Sequence, residues 1–125
     1  MTKVFTDVSV FMSACGQEVP SKPSAESELS HLYLKLIQEE YIEFFTAIKN
    51  DKYADQLDGC FDLMWVIIAY MKTRGWDCDG AWDEGAKSNL AKIDPATGNV
   101  IRREDGKILK PEGWQAPNFT KFVIV

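Results

Sequence analysis

The sequence predicts an all-α protein: a four-helix-bundle-like core over about 4–92, then an irregular C-terminal flap over about 93–125 that contains a short β-hairpin. Three observations predict it. Apolar residues recur at steps of three and four along several runs of the first 92 positions, the signature of a helix face. Turn-forming residues cut that pattern at Gly16, at Asn50-Asp-Lys52 and at Arg74-Gly75. From Ile93 onward the composition shifts to Pro, Gly and Lys between short extended runs.

The first helix is expected over Val4 to Cys15, with Val8, Phe11 and Met12 on one face and Gly16 ending it. Gln17 to Ala25 carries two prolines and two serines and reads as an extended connection. The second helix starts near Ser24 or Ser27, either a suitable N-cap, and runs to about Lys49. Its positions Leu29, Leu32, Leu36, Glu40, Glu43 and Ala47 step by three or four, so the acids are expected to continue the buried stripe. The third helix covers roughly Tyr53 to Thr73 and is apolar nearly all round, as a central bundle helix or one buried between subunits would be. A fourth begins at Asp77 or Asp79 and ends near Lys92. In the flap, Pro95 to Gly98 is turn-like, Glu104 to Lys107 is a hairpin-type turn, and Lys110 to Pro117 is irregular.

A chain of 125 residues is expected to form one domain, and 46% hydrophobic residues with mixed charge describe a folded globule. A net charge of −5 argues against nucleic acid as a partner, because binding the phosphate backbone needs a basic face. Cys15, Cys60 and Cys78 are odd in number and lack a C-x-x-C pair, which reads as reduced thiols. The N-terminal residues lack a signal-peptide core, and the longest apolar stretch is short and contains Asp62. A cytoplasmic protein with no membrane partner is expected.

Chemistry concentrates in two places. Glu40 and Glu43 form one acid pair on the second helix, and Asp58 and Asp62 form another on the third. Each pair shares a helix face. Asp58 alone also suits the start of a helix, where the macrodipole favours an acid. Asp62 is the only charge between Gly59 and Met71, and a charge so placed must be paired, neutralised or bound to a cation. Oxygen-only ligands favour magnesium or manganese. Glu39 stands beside them as a further ligand or base. The second cluster is Lys87, Asn89 and Lys92, which offers donors for phosphate oxygens or a cationic end for a helix dipole.

Other chemistries are disfavoured. His31 is the single histidine and reads as a helix-surface residue, which argues against a di-iron carboxylate bundle. There is no Gly-x-x-x-x-Gly-Lys loop and no paired nucleophile and histidine. The four tryptophans read mainly as core or interface residues, with Trp114 on the flap also placed to cover a base.

The ordered motifs Leu36-Ile-x-Glu-Glu40-x-x-Glu43, Asp58-Gly-x-x-Asp62 and Ser88-Asn-x-x-Lys92 resemble the MazG-like all-alpha nucleoside triphosphate pyrophosphohydrolases. The closer likeness is to small phage-type members, through Phe11-x-x-x-x-Gly-Gln17, Val19-Pro, Lys92-x-Asp94-Pro-x-Thr-Gly98 and Glu104-Asp-Gly-Lys107-x-x-Lys110-Pro-Glu-Gly-Trp114. The broader family usually has Glu-x-x-Asp on the second metal helix; Gly59 stands in that Glu position here, and Asp58 would substitute.

The resemblance implies hydrolysis of a nucleoside triphosphate to the monophosphate and pyrophosphate. It implies magnesium or manganese held by Glu40, Glu43, Asp58 and Asp62, with Glu39 or Glu43 as general base. Lys87, Asn89 and Lys92 would clamp phosphate oxygens, Lys107 and Lys110 would close from the flap, and Gln17 would contact a base edge. A deoxypurine triphosphate, dGTP ahead of dUTP, is the expected substrate, and a homodimer or homotetramer the expected assembly, located in the host cytoplasm if the chain is of phage origin. The rivals are a dUTPase and a helical module that binds without catalysis.

Overall fold

The computed structural model describes residues 3–125. Four long helices come first: α1 (Lys3–Ala14), α2 (Glu28–Lys49), α3 (Tyr53–Thr73) and α4 (Cys78–Leu90). Three short strands follow, β1 (Ile93–Asp94), β2 (Asn99–Arg102) and β3 (Ile108–Leu109), then a last helical turn, α5 (Thr120–Val123). The mostly helical architecture with a small C-terminal sheet matches the expected fold class. None of the described helices is long and apolar enough to cross a membrane.

Local chemistry sets the boundaries. Ser27, not Ser24, caps α2: its Oγ accepts from the Ser30 amide at 3.1 Å, while Ser30 Oγ accepts from the Ser27 amide at 2.7 Å. A cap of this kind stabilises a helix by about 1 kcal/mol. Asp77 caps α4, its Oδ1 accepting from the Gly80 amide at 3.0 Å. At the other end α4 stops at Leu90, short of Lys92, where the chain tightens into a turn with the Lys92 amide donating to the Asn89 carbonyl at 3.2 Å. Asp51 takes a left-handed φ of 53° in the tight turn that folds α3 back along α2.

α3 is the central helix, packed against α1, α2 and α4, with its longest seam against α2. Phe5, Val8 and Met12 of α1 meet Tyr33, Val66, Ile68, Ala69 and Cys78 in the core. Phe11 departs from expectation: it is 53% exposed, because the buried face of α1 runs through positions 5, 8 and 12 and Phe11 lies to one side of it. It meets Trp65 edge-on instead, ring centroids 5.6 Å apart.

The connection between α1 and α2 is tied to the α3–α4 corner. The Ser24 amide donates to the Arg74 carbonyl at 2.9 Å, and Arg74 Nε donates back to the Ser24 carbonyl at 3.0 Å. Gly75, with φ +65°, is required beside it, since a Cβ there would fall 1.9 Å from the Lys22 carbonyl oxygen.

In the flap, β1 pairs with β2 (Ile93 opposite Val100) and β2 with β3 (Ile101 opposite Leu109), both antiparallel. The Pro95–Gly98 turn therefore closes a hairpin of its own, and the sheet is a three-stranded meander rather than one hairpin. The chain then returns along α4 in the opposite direction. Trp114 bonds to Ser88, Asn118 to Glu84, and the Phe119 and Phe122 rings lie over Gly85 and Gly80.

Candidate active site

The α2–α3 seam runs antiparallel with a clear register. Gln56 Nε2 donates across it to the Ala47 carbonyl at 3.2 Å. One turn further along α3, Gly59 lies against Phe44. The next step brings Asp62 to Glu40, the two carboxyls being in electrostatic contact. The acids thus meet across the seam because each occupies the next position of a regular stripe.

The stripe differs from the expected one. On α2 it passes through Ser30, Tyr33, Ile37, Glu40, Phe44 and Ala47, all buried or half-buried. Leu32 and Glu43, expected on it, are exposed. The four acids therefore do not all point into the bundle. Glu40 and Asp62 are half-buried at the seam, while Glu43 and Asp58 flank them in solvent. Leu29, Leu36, Glu40 and Ala47 keep the expected burial; beyond Glu40 the line that faces α3 passes through 44 rather than 43.

Burial pushes the Glu40 carboxyl up to about 7, and the negative charges of Asp62 and Glu43 add to the shift. Asp62 is raised as well, by burial first and then by the charge of Asp58. Glu40 Oε2 is buried without a hydrogen-bond partner. An unsatisfied buried carboxylate oxygen costs free energy that a proton or a cation would offset. All the nearby donors are carboxylate oxygens, the set that suits a hard divalent ion. As the side chains stand, no three acids among the described residues are gathered tightly enough to hold one ion.

Glu43, Asp58 and Asp62 line a cleft of about 380 Å³ that runs down the seam to the α2–α3 turn. Its far end carries Thr46, Asn50, Lys52 and Asp55, which sequence reasoning did not single out. The available signal was their position one and two turns beyond the acid pairs, next to the turn itself. Glu39 is exposed and is not part of the lining.

The second cluster assembles where α4 meets the flap. Lys92 Nζ donates to Asn89 Oδ1 at 3.2 Å. Lys92 Nζ and Lys110 Nζ lie 5.3 and 4.7 Å from the centre of the Trp114 ring. Trp114 thus contacts two ammonium groups. Lys87, with Ser88 and Trp114, lines a cavity of about 550 Å³ beside them. Lys107 stays apart, exposed in the β2–β3 turn. Gln17 lies against α2, its Oε1 accepting from the Tyr33 hydroxyl at 2.7 Å. The acid cleft and the α4–flap cavity share no lining residue.

No curated protein matches the chain in sequence. A sequence profile of the family described as phosphoribosyl-ATP pyrophosphohydrolase matches residues 8–89, about two thirds of the chain, and that span contains both helices of the acid seam. The chain belongs to this family, within the MazG-like nucleotide pyrophosphohydrolase superfamily, and is an enzyme of the pyrophosphohydrolase kind.

Proposed function

We propose that this protein hydrolyses a (deoxy)nucleoside triphosphate to the monophosphate and pyrophosphate, with magnesium or manganese held by Glu40, Glu43, Asp58 and Asp62. The observation that carries this reading is the meeting of Glu40 and Asp62 across the seam, half-buried, with one Glu40 oxygen lacking any partner. A bound divalent ion would supply charge neutralisation for the triphosphate and a lowered pKa for an attacking water.

The chain's own groups do the remaining work. Glu40 and Asp62 would hold the metal from the seam, and Glu43 and Asp58 from the solvent side. Glu39 or Glu43 accepts the proton of the attacking water: Glu43 lines the cleft, whereas Glu39 is free of ligand duty and so the stronger base. The water oxygen bonds to the α- or the β-phosphorus as the α–β anhydride bond breaks, and the bridging oxygen leaves with its electron pair on the other fragment, giving the monophosphate and pyrophosphate. Lys87, Asn89, Lys92 and Lys110 bind phosphate oxygens, with Lys107 brought in by closure of the flap, and Gln17 contacts the base edge.

Assembly brings the acid cleft and the lysines together. Tyr41, Ile42 and Phe45 on α2 and Leu57, Phe61 and Met64 on α3 are large, apolar and exposed. A face of this composition fits burial against a second copy. In a homodimer or homotetramer, lysines of one subunit would face the acids of another.

The substrate is a deoxypurine triphosphate, dGTP first. A panel of dGTP, dATP, dUTP, dCTP, GTP and phosphoribosyl-ATP, read by product identification with and without EDTA, tests activity, bond and base together. Pyrophosphate from dGTP that disappears with EDTA supports the reading. Preference for dUTP would make the enzyme a dUTPase, and intact nucleotides throughout would leave a helical binding module.

A further inference from the structure

Trp114 is fastened to α4 through a single residue. Its Nε1–H donates to the Ser88 carbonyl at 2.8 Å, and the Ser88 hydroxyl donates to the Gln115 carbonyl at 3.2 Å. Ser88 is buried, so these two bonds fix the height and tilt of the indole against the helix. Two ammonium groups from separate parts of the chain then converge on the ring, Lys92 from just beyond α4 and Lys110 from just beyond β3. No ion pair with a carboxylate engages either one among the described residues. The negative π cloud of the ring offsets only part of the charge of each ammonium. A ligand with several closely spaced anionic oxygens would offset the rest.

We propose that Trp114 is a positioning residue that gathers Lys92 and Lys110 into a two-cation seat for a condensed phosphate. The inference rests on the reading of these lysines as phosphate-binding groups, and adds the residue through which helix and flap act together. A lysine ammonium is a point charge on a flexible stem, so alone it loses conformational freedom when it binds an oxyanion. Held on an anchored ring, both ammoniums start near the bound arrangement. The same ring makes the seat depend on flap docking, because Lys110 reaches it only with β3 in place.

The test is an NMR titration of the full chain with inorganic pyrophosphate and magnesium, following the Cε methylene signals of Lys92 and Lys110 and the Trp114 indole Nε1–H. In the unaltered protein the methylenes carry ring-current shifts, and all three signals move together on binding. Trp114→Ala removes those shifts and weakens pyrophosphate binding about fivefold to thirtyfold. Trp114→Phe keeps a ring face but loses the Nε1–H bond to Ser88, and so retains part of the affinity, whereas Trp114→Leu, which fills space without a ring, behaves like Ala; this pair carries the comparison should the Ala variant fail to fold. In the Lys92→Gln, Lys110→Gln background, removing the ring has no further effect, an outcome a purely structural role would not give. Wild-type affinity in folded Trp114→Leu overturns the inference while Lys92→Gln still weakens binding. Wild-type affinity in both lysine variants overturns the phosphate reading itself, and the inference with it.

Discussion

Gly59 of α3 lies so close to Phe44 of α2 that a Cβ on the glycine would fall 3.0 Å from the Phe44 Cβ and Cδ1 and 3.1 Å from its Cα. One turn away Asp62 meets Glu40, so the helix separation that this glycine permits is also the separation of the acids. The family's usual Glu would have to force the helices apart to fit at this position. Gly59→Ala should therefore destabilise the fold despite alanine's helix propensity, about 1 kcal/mol better than glycine's, because overpacking costs about 1–3 kcal/mol. Urea denaturation measures the balance. Gly59→Glu should lose both stability and turnover, even though it restores the family's ligand type.

Asp62→Asn and Glu40→Gln keep the size of each side chain and remove its charge. Each should reduce turnover by roughly a hundredfold or more if the acids hold the metal. The helical circular dichroism signal should survive, since neither charge is needed for packing. Unchanged rates in both variants would show that the acids are not ligands.

Much of this was legible in the sequence because it depended on local rules. The turn at Asn50 to Lys52 and the stop at Arg74-Gly75 are backbone signals, and both ended helices where expected. Both acid pairs were also readable, Glu40 with Glu43 at i, i+3 and Asp58 with Asp62 at i, i+4. What could not be read was which of two neighbouring stripes faces α3. Glu40 belongs to both the 36-40-43 and the 37-40-44 lines, and only packing chooses between them. The role of Gly59 was hidden for the same reason, since its meaning lies in Phe44, fifteen positions earlier. The docking of Trp114 on Ser88 links residues 26 apart, and α5 is too short to carry a periodic signal.

Glu40, raised to about 7, and Asp62, also raised, make the metal-free fold sensitive to pH. Both acids bind protons more tightly folded than unfolded. The sign follows: stability is greatest below the ordinary glutamate value of 4.5 and is lost as pH rises through about 7. The thermal midpoint of EDTA-treated protein should fall between pH 5 and pH 8. Saturating magnesium should flatten that slope, because a bound cation replaces the proton. Glu40→Gln should flatten it without metal, and a slope unchanged in that variant would rule Glu40 out as its source.

The oligomer can be tested at a strongly exposed apolar position of α3. Leu57 is 72% exposed on α3, one turn before Phe61, and neither contributes to the buried core of one chain. A charge at this position would cost a single chain little, since the side chain already faces solvent. In an assembly it would be buried without a partner, at a cost of several kcal/mol. Leu57→Asp should therefore convert the protein to monomer in size-exclusion chromatography with light scattering, while the helical signal persists. Turnover should fall with it if lysines of one subunit complete the acid cleft of another, as proposed above. A fully active monomer would mean that flap movement alone brings the acids and the lysines together, and the partner subunit would have no part in the chemistry.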